Sequence, residues 1–212
     1  MASIVRHDLA RITGALGAWQ RRTFPSPDID LTCPDTGGGS PAASMGGVYK
    51  PPVDGVWGTY TYPVSDAYPS FLKVDVAVEY RSAVNSQRFI AAFDRPSVLR
   101  CTKASEIAYW RHGKYPSKPP FPRVSVAAGL PRGLSAALGR DSNGYHFTVI
   151  TAPGRPGRVP LFYALHFGFR DPTNPHVAYY VIIYEDQVVK HPLQTDVSLA
   201  RRVSLLIIHA AR

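Results

Sequence analysis

Two apolar runs near the C-terminus, joined by a short Pro-rich segment, constrain the fold of this chain more than any other feature. Between Leu161 and Phe169 large apolar side chains occupy every second position, and residues 177–184 read VAYYVIIY. The dipeptides Asp171-Pro172 and Asn174-Pro175 lie between the two runs. Apolar β-branched and aromatic residues favour strands, whereas Asx and Pro residues favour turns. The pattern therefore predicts two antiparallel strands that are neighbours in a sheet.

Other segments carry strand and helix signals. Residues 72–80 alternate apolar with charged or small side chains, which predicts a half-buried strand, and residues 123–128 and 145–150 predict two more. Asp94 ahead of Pro96 predicts the start of a helix that runs to Arg111. Asp196 predicts the N-cap of a closing helix over 197–211, although 203–208 also has the composition of a strand.

We therefore predict an α+β fold in which a four- to five-stranded antiparallel sheet packs against two helices, with a flexible N-terminal arm. Residues 1–22 form an amphipathic helix in this prediction, because apolar residues recur at spacings of four and three. Residues 23–58 are rich in Pro and Gly, which predicts a disordered linker, and residues 59–212 form the globular domain. The stripe of the helix comprises Val5, Leu9, Ile12, Leu16 and Trp19.

The apolar stripe of residues 1–22 has two interpretations. With Arg residues beside it, such a helix suits an anionic membrane interface, where the stripe would act as an anchor. The stripe can equally pack on its own domain or on a sister subunit. The apolar run at 177–184 has eight residues, well short of the ~20 that span a bilayer, so we expect any membrane contact to be peripheral.

The chain is strongly basic. It has 24 Lys and Arg against 15 Asp and Glu, a net charge of +9, which favours anionic partners such as nucleic acid or acidic lipid. The cations concentrate in two places, and aromatic residues interleave with the first, as in surfaces that stack on bases or sit at lipid headgroups. The predicted binding residues are Arg100, Lys103, Trp110, Arg111, Lys114, Lys118 and Arg123 in the first place, and Arg155 and Arg158 in the second.

Signals for catalysis, metals and cofactors are weak. Gly133-Leu134-Ser135 lacks the second glycine of a nucleophile elbow, and the seven histidines show no metal-ligand spacing. Glu185 and Asp186 are adjacent on a predicted turn rather than separated across a cleft. We therefore expect no enzyme activity, no metal and no cofactor. Cys33 and Cys101 are the only cysteines, and their spacing indicates reduced thiols in a cytosolic protein.

One stretch resembles a known family. The run at 177–184 ends at Glu185 and Asp186, followed by Pro192, and upstream lies NGYHFTVITAPGRPGRVPLF, a strand signal broken by a cationic Pro/Gly turn. This order resembles the vesiculovirus-like matrix proteins of rhabdoviruses, in which a strand ends in a Tyr-acidic-acidic turn and then a Pro. The likeness runs from Phe71 to the C-terminus and is closest at 145–161 and 180–196.

The resemblance implies a viral matrix protein, a structural component of the virion that bridges the ribonucleoprotein and the inner face of the envelope. Such proteins self-associate and promote assembly and budding. The implied partners are anionic membrane lipid, the viral nucleocapsid or its RNA, further copies of the chain and host budding machinery. The implied locations are the virion beneath the envelope, the host cytoplasm, the inner face of the host membrane and the nucleus.

Two departures and one alternative accompany this interpretation. The N-terminal arm is not Lys-rich, and the Pro-Pro-x-Tyr motif familiar in the family is absent. A late-domain pattern of another kind, Tyr-Pro-x-x-Leu, is matched by Tyr68, Pro69 and Leu72. The alternative function is a small basic RNA-binding protein, viral or ribosomal, which would use the same basic and aromatic residues on single strands.

Overall fold

A seven-stranded antiparallel sheet with helices on both faces makes up the part of the chain that the computed structural model describes. That part comprises residues 2–17, 20–25, 54–61, 72–112, 123–131, 133–150, 159–189 and 198–211. In chain order its elements are α1 (Ala2–Leu16), β1 (Gln20–Pro25), β2 (Asp54–Thr61), β3 (Leu72–Tyr80), α2 (Ala83–Ile90), α3 (Pro96–His112), β4 (Arg123–Ala128), α4 (Leu134–Leu138), β5 (Ser142–Ile150), β6 (Val159–Arg170), β7 (Val177–Val189) and α5 (Ser198–Ala211). The strands lie in the order β1-β2-β3-β7-β6-β5-β4.

The predicted α+β class and the antiparallel sheet are confirmed, but the element counts were too low. The described ranges contain seven strands rather than four or five, and five helices rather than the N-terminal helix and two others. The missed helices, α2 and α4, are only eight and five residues long, too short for a clear apolar period. The missed strands β1 and β2 lie at the ends of the predicted Pro/Gly-rich linker.

The sheet separates two apolar cores. Helices α1, α4 and α5 cover one side, here called the terminal-helix face, and α2 and α3 cover the other, here called the α3 face. Successive side chains of a strand point to opposite faces, so the interior strand β3 contributes to both cores. Its residues Asp75 and Glu79 are only 4% and 0% exposed, and the predicted half-buried strand is therefore buried on both sides.

Most of the predicted long elements have the expected limits. Strand β4 and helix α3 begin where the sequence places them, and 203–208 lies within helix α5 rather than a strand. The predicted pairing of the two C-terminal strands is confirmed by the register Arg170↔Ala178. The turn between them is closed by the Asp171 carboxylate, which accepts hydrogen bonds from the backbone N–H groups of Thr173 and Asn174.

The acidic pair at 185–186 does not lie on a turn. Strand β7 continues to Val189, and the pairings Leu72↔Glu185 and Phe162↔Asp186 place both acids inside the sheet. The strand continues because β6 begins at Val159 and supplies hydrogen-bonding partners along its whole length. The predicted Tyr-acidic-acidic turn, on which the family resemblance was based, is therefore wrong.

The predicted division of the chain at residues 22 and 58 also differs from the structure. Helix α1 ends at Leu16, where Gly17 adopts a positive φ of 60° and its N–H donates to the Thr13 carbonyl. Strand β1 follows, and it pairs with β2, which in turn pairs with β3. The sheet thus includes both edges of the predicted linker, and residues 26–53 lie outside the described part.

Cys101 is disulfide-bonded, which differs from the reduced thiols expected from the sequence. The side chain is buried in α3, 7% exposed. A disulfide stabilises mainly by restricting the unfolded chain, so this residue contributes to the stability of α3 beyond its packing.

Candidate polyanion-binding surface

The exposed side of α3 carries a row of basic residues. Pro96 occupies the first turn, where the absence of an N–H costs nothing, and Val98, Cys101 and Thr102 are buried. Arg100 and Lys103 lie on the opposite side of the helix and are exposed. We call these two residues the α3 basic pair. Residues three or four positions apart are neighbours on a helix surface, so Arg100 and Lys103 lie side by side.

Acidic side chains are scarce on this surface. Residues 83–112 carry two acids, Asp94 and Glu106, against five Lys and Arg. Glu106 faces the sheet and is only 5% exposed, so its carboxylate does not neutralise the outer side of α3. Its charge instead contributes to raising the pKa of Tyr145 and Tyr184, although burial of these tyrosines is the main cause. The described outer side chains of α3 are therefore cationic without a compensating acid.

Helix α2 adds a further cation that sequence reasoning missed. Arg88 is exposed in the last turn of α2, which packs on the same sheet face as α3. Ser82 caps this helix by accepting a hydrogen bond from the Asn85 N–H at 3.2 Å. Ser82 followed by the apolar residues of 83–90 is the signal that would have indicated α2, but eight residues give little periodicity.

The structure does not gather all the predicted binding residues into one surface. Trp110 and Arg111 lie in the last turn of α3, about two to three helical turns beyond the α3 basic pair. Arg123 is exposed at the start of β4, but its neighbour Val124 points into the core under α3. Side chains alternate along a strand, so Arg123 belongs to the opposite side of the sheet. Lys114, Lys118, Arg155 and Arg158 lie outside the described residues.

The predicted N-terminal anchor is part of the folded core. Leu9, Ile12 and Leu16 are 1%, 0% and 5% exposed and pack with α5 and the terminal-helix face of the sheet. Burial against the protein makes these side chains unavailable to a membrane, so the interpretation of the stripe as packing on its own domain is the one the structure supports. Val5 lies in α1. Trp19 lies outside the described residues.

The late-domain residues fall mostly outside the described part. Tyr68 and Pro69 precede the first described residue of β3. Leu72 is the first residue of β3 and pairs with Glu185. The backbone groups of a residue paired inside a sheet are already hydrogen-bonded to neighbouring strands, so they are not free to bind a partner protein.

A polar network lies under α3 within the core of the α3 face. The Nδ1 atom of His166 is 3.0 Å from the hydroxyl of Tyr180, and the ring of Tyr145 stacks on the imidazole at 4.7 Å. Burial lowers the pKa of His166 to about 3, so the imidazole is neutral at physiological pH. His166, Tyr145 and Tyr180 are each 0% exposed. A substrate has no access to such enclosed groups, and we assign the network a structural role.

A second buried pair joins the end of β3 to α2. The Nε atom of Arg81 donates to the Glu79 carboxylate at 2.7 Å, and the guanidinium lies 4.3 Å from the ring centre of Phe89. Burial lowers the pKa of Arg81 to about 8, which still leaves it protonated at neutral pH. An ion pair removed from water in this way adds little net stability, because desolvation of the two charges offsets their attraction.

Neither metal ligation nor membrane spanning is visible in the described ranges. These residues contain no group of three or more His, Cys, Asp and Glu side chains placed to hold an ion. None of the helices found there is long and apolar enough to cross a bilayer.

Comparison with known proteins returned no similarity. No family model matches the chain, and neither a curated protein nor a solved structure matches it.

Proposed function

We propose that this protein is a non-catalytic structural adaptor of the viral matrix type, which binds phosphate-rich surfaces through the exposed side of α3. In this role it bridges a ribonucleoprotein and the inner face of the viral envelope, associates with further copies of itself and promotes assembly and budding. The observation that carries the proposal is the α3 basic pair, Arg100 and Lys103, exposed on a helix whose acid is turned into the core.

The energetics favour reversible, salt-sensitive binding. Each basic residue close to an acidic membrane contributes about 1 kcal/mol, and the attraction decays within a Debye length. Arg100, Lys103 and Arg88 together would contribute about 3 kcal/mol on this estimate. That is too little for stable attachment by a single molecule. Lateral association of many copies on one surface would multiply the contacts and hold the layer in place.

The support for a matrix role comes from surface charge and from the enclosed core, and no longer from the acidic pair at 185–186. The net charge of +9 favours anionic partners generally. His166, Tyr145 and Tyr180 are enclosed under α3. Locations in the virion beneath the envelope, in the host cytoplasm and nucleus and at the inner face of the host membrane belong to the same proposal.

Flotation with liposomes tests the proposal. We expect the double variant Arg100→Ala/Lys103→Ala to bind vesicles containing anionic lipid about 30-fold more weakly, because it loses two contributions of about 1 kcal/mol each. The matched control is Arg6→Ala/Arg202→Ala, which removes two exposed cations from α1 and α5 on the terminal-helix face. It should bind within about threefold of the parent chain.

Equal loss in both double variants would contradict a defined surface, and salt-insensitive binding to neutral vesicles would contradict the electrostatic mechanism. RNA binding measured in parallel addresses the alternative function. A steep salt dependence for single-stranded RNA, with no vesicle binding, would favour the small RNA-binding protein.

A further inference from the structure

A small cleft lies between the C-terminal end of α2 and the ends of β5 and β6, separate from the α3 basic pair. Its volume is about 200 Å³, and its lining includes Gln87, Ile90, Arg140, Asp141, Asn143 and Arg170. Pockets for drug-sized ligands have volumes of roughly 300–1,000 Å³, so this cleft suits a smaller group. Nothing in the proposed function uses these residues.

The wall formed by residues 139–143 is held in place by local hydrogen bonds. Gly139 has a φ of 81°, which a residue with a side chain rarely adopts, and its carbonyl accepts a hydrogen bond from the Ser142 hydroxyl at 2.6 Å. The backbone N–H of Arg170 donates to the carbonyl of Asp141 at 3.1 Å, and the two side chains form an ion pair. The segment is thereby fixed to the end of β6.

The lining is rich in hydrogen-bond donors. Asp141 is the one carboxylate among the lining residues, and Arg170 engages it, whereas Arg140 is exposed and has no ion pair among the described residues. The Oδ1 atom of Asn143 accepts from the Gly144 N–H at 2.8 Å, which leaves the amide NH₂ of Asn143 as a donor. Two guanidinium groups and an amide donor therefore surround the cleft, against one carboxylate.

We propose that this cleft binds a single phosphate group, with Arg140 as the main ligand and Arg170 and Asn143 as secondary donors. The planar guanidinium of Arg140 presents two parallel N–H groups that match two phosphate oxygens. Ile90, which is 6% exposed, also lines the cleft and gives it an apolar side. The phosphate can be free inorganic phosphate or part of a lipid headgroup, since the same oxygens are recognised in both.

The test is a titration of the full chain with inorganic phosphate at constant ionic strength, followed by two-dimensional amide NMR. We expect saturable shifts confined to the residues around 87–91, 140–143 and 170. Arg140→Ala should bind about tenfold more weakly, because one charge-assisted bidentate contact is lost. Arg202→Ala, which removes an exposed cation from α5, is the matched control and should bind as the parent chain does.

A third variant gives a change of opposite sign. Asp141→Asn removes the lining carboxylate and releases Arg170, so we expect it to bind phosphate several-fold more tightly. Circular dichroism melts show whether each variant keeps the fold, and Asp141 is exposed enough for replacement to be tolerated. Non-saturating shifts spread over all basic residues, or equal affinity of the Arg140 and Arg202 variants, would overturn the site.

A parallel titration with glycerol 3-phosphate distinguishes the source of the ligand. Tighter binding than inorganic phosphate would identify a phosphate carried on an alcohol, as in a lipid headgroup. Equal or weaker binding, with the same loss in Arg140→Ala, would identify free phosphate.

Discussion

At the scale of single residues, Asp8 is the most unusual group in the described part of the chain. It is only 6% exposed and lies near the Tyr179 hydroxyl and a second carboxylate, Asp171. Burial is the largest cause of its raised pKa, and the negative charge of Asp171 adds to the effect. Arg11, 3.9 Å away, compensates in part. The contact between α1 and the sheet therefore carries a carboxylate that the fold prefers protonated.

Replacement of this carboxylate by a neutral amide should stabilise the protein. The folded-state pKa of Asp8 is raised, so its favourable contribution is present at low pH and is lost as the pH rises through that pKa. Because burial disfavours the charged form, we expect Asp8→Asn to raise the free energy of unfolding at pH 7 by about 1 kcal/mol. At pH 3 the gain should disappear, because Asp8 is then protonated in both states.

Denaturant unfolding at the two pH values measures this effect. A decrease in stability of Asp8→Asn at pH 7 would show that the charged form of Asp8 is the one the fold requires.

At the scale of elements, the role of α1, as a membrane anchor or as part of the core, can be tested by its contribution to stability. An independent membrane anchor would contribute nothing to the stability of the fold, whereas a core helix would contribute a great deal. Ile12 is 0% exposed in the core of the terminal-helix face. We therefore expect Ile12→Ala to lower the free energy of unfolding by about 2–5 kcal/mol, as is usual for large-to-small changes in a core.

Thermal melts and flotation together check this expectation. Arg6→Ala changes an exposed position of the same helix and should alter stability by no more than about 0.5 kcal/mol. Below its melting temperature, Ile12→Ala should bind anionic vesicles as the parent chain does. Unchanged stability combined with weaker vesicle binding would restore the anchor interpretation.

Elements with strong periodicity could be predicted from the sequence, and short or interrupted ones could not. Alternating apolar residues identified β3 and β6, a continuous apolar run identified the first part of β7, and the Asp94-Arg95-Pro96 segment located the start of α3. The continuation of β7 to Val189 was missed because its sequence is charged and its pairing depends on β6. Strands β1 and β2 were missed because Gly and Pro residues there suggested a linker, while tertiary pairing overrides that preference.

The candidate site was predicted only in part for a similar reason. Charge clusters in a sequence show how many cations a segment has, but the side on which each one lies depends on the fold. Arg100 and Lys103 are on one exposed side of α3, as their spacing of three residues on a helix predicts. Arg123 belongs to the same predicted cluster, but its side chain points to the other face of the sheet. The cleft at Arg140 has no sequence signal, because it combines residues from α2, β5 and β6.

At the scale of the whole molecule, the disulfide at Cys101 makes a prediction about redox state. When the unreduced protein is unfolded in denaturant, Cys101 should resist alkylation, and prior reduction should make it reactive. Reduction should also lower the free energy of unfolding by about 2–4 kcal/mol, the usual contribution of a disulfide.

Mass spectrometry of alkylated peptides measures the reactivity of Cys101, and denaturant unfolding measures the change in free energy of unfolding. In Cys101→Ser the reductant should have no effect on stability. Alkylation of Cys101 in the unfolded, unreduced chain would show that the thiol is free and that the sequence-based expectation of reduced cysteines was right.

The pairing of α1 with α5 on one side of the sheet has a practical consequence for handling the protein. An affinity handle or fluorophore fused ahead of Ala2 or behind Ala211 would be attached at the terminal-helix face at either end. Molecules tethered to a sensor chip by such a handle would present Arg100 and Lys103 towards the flowing solution. Capture of phosphate-bearing vesicles on that chip would then need no relocation of the tag.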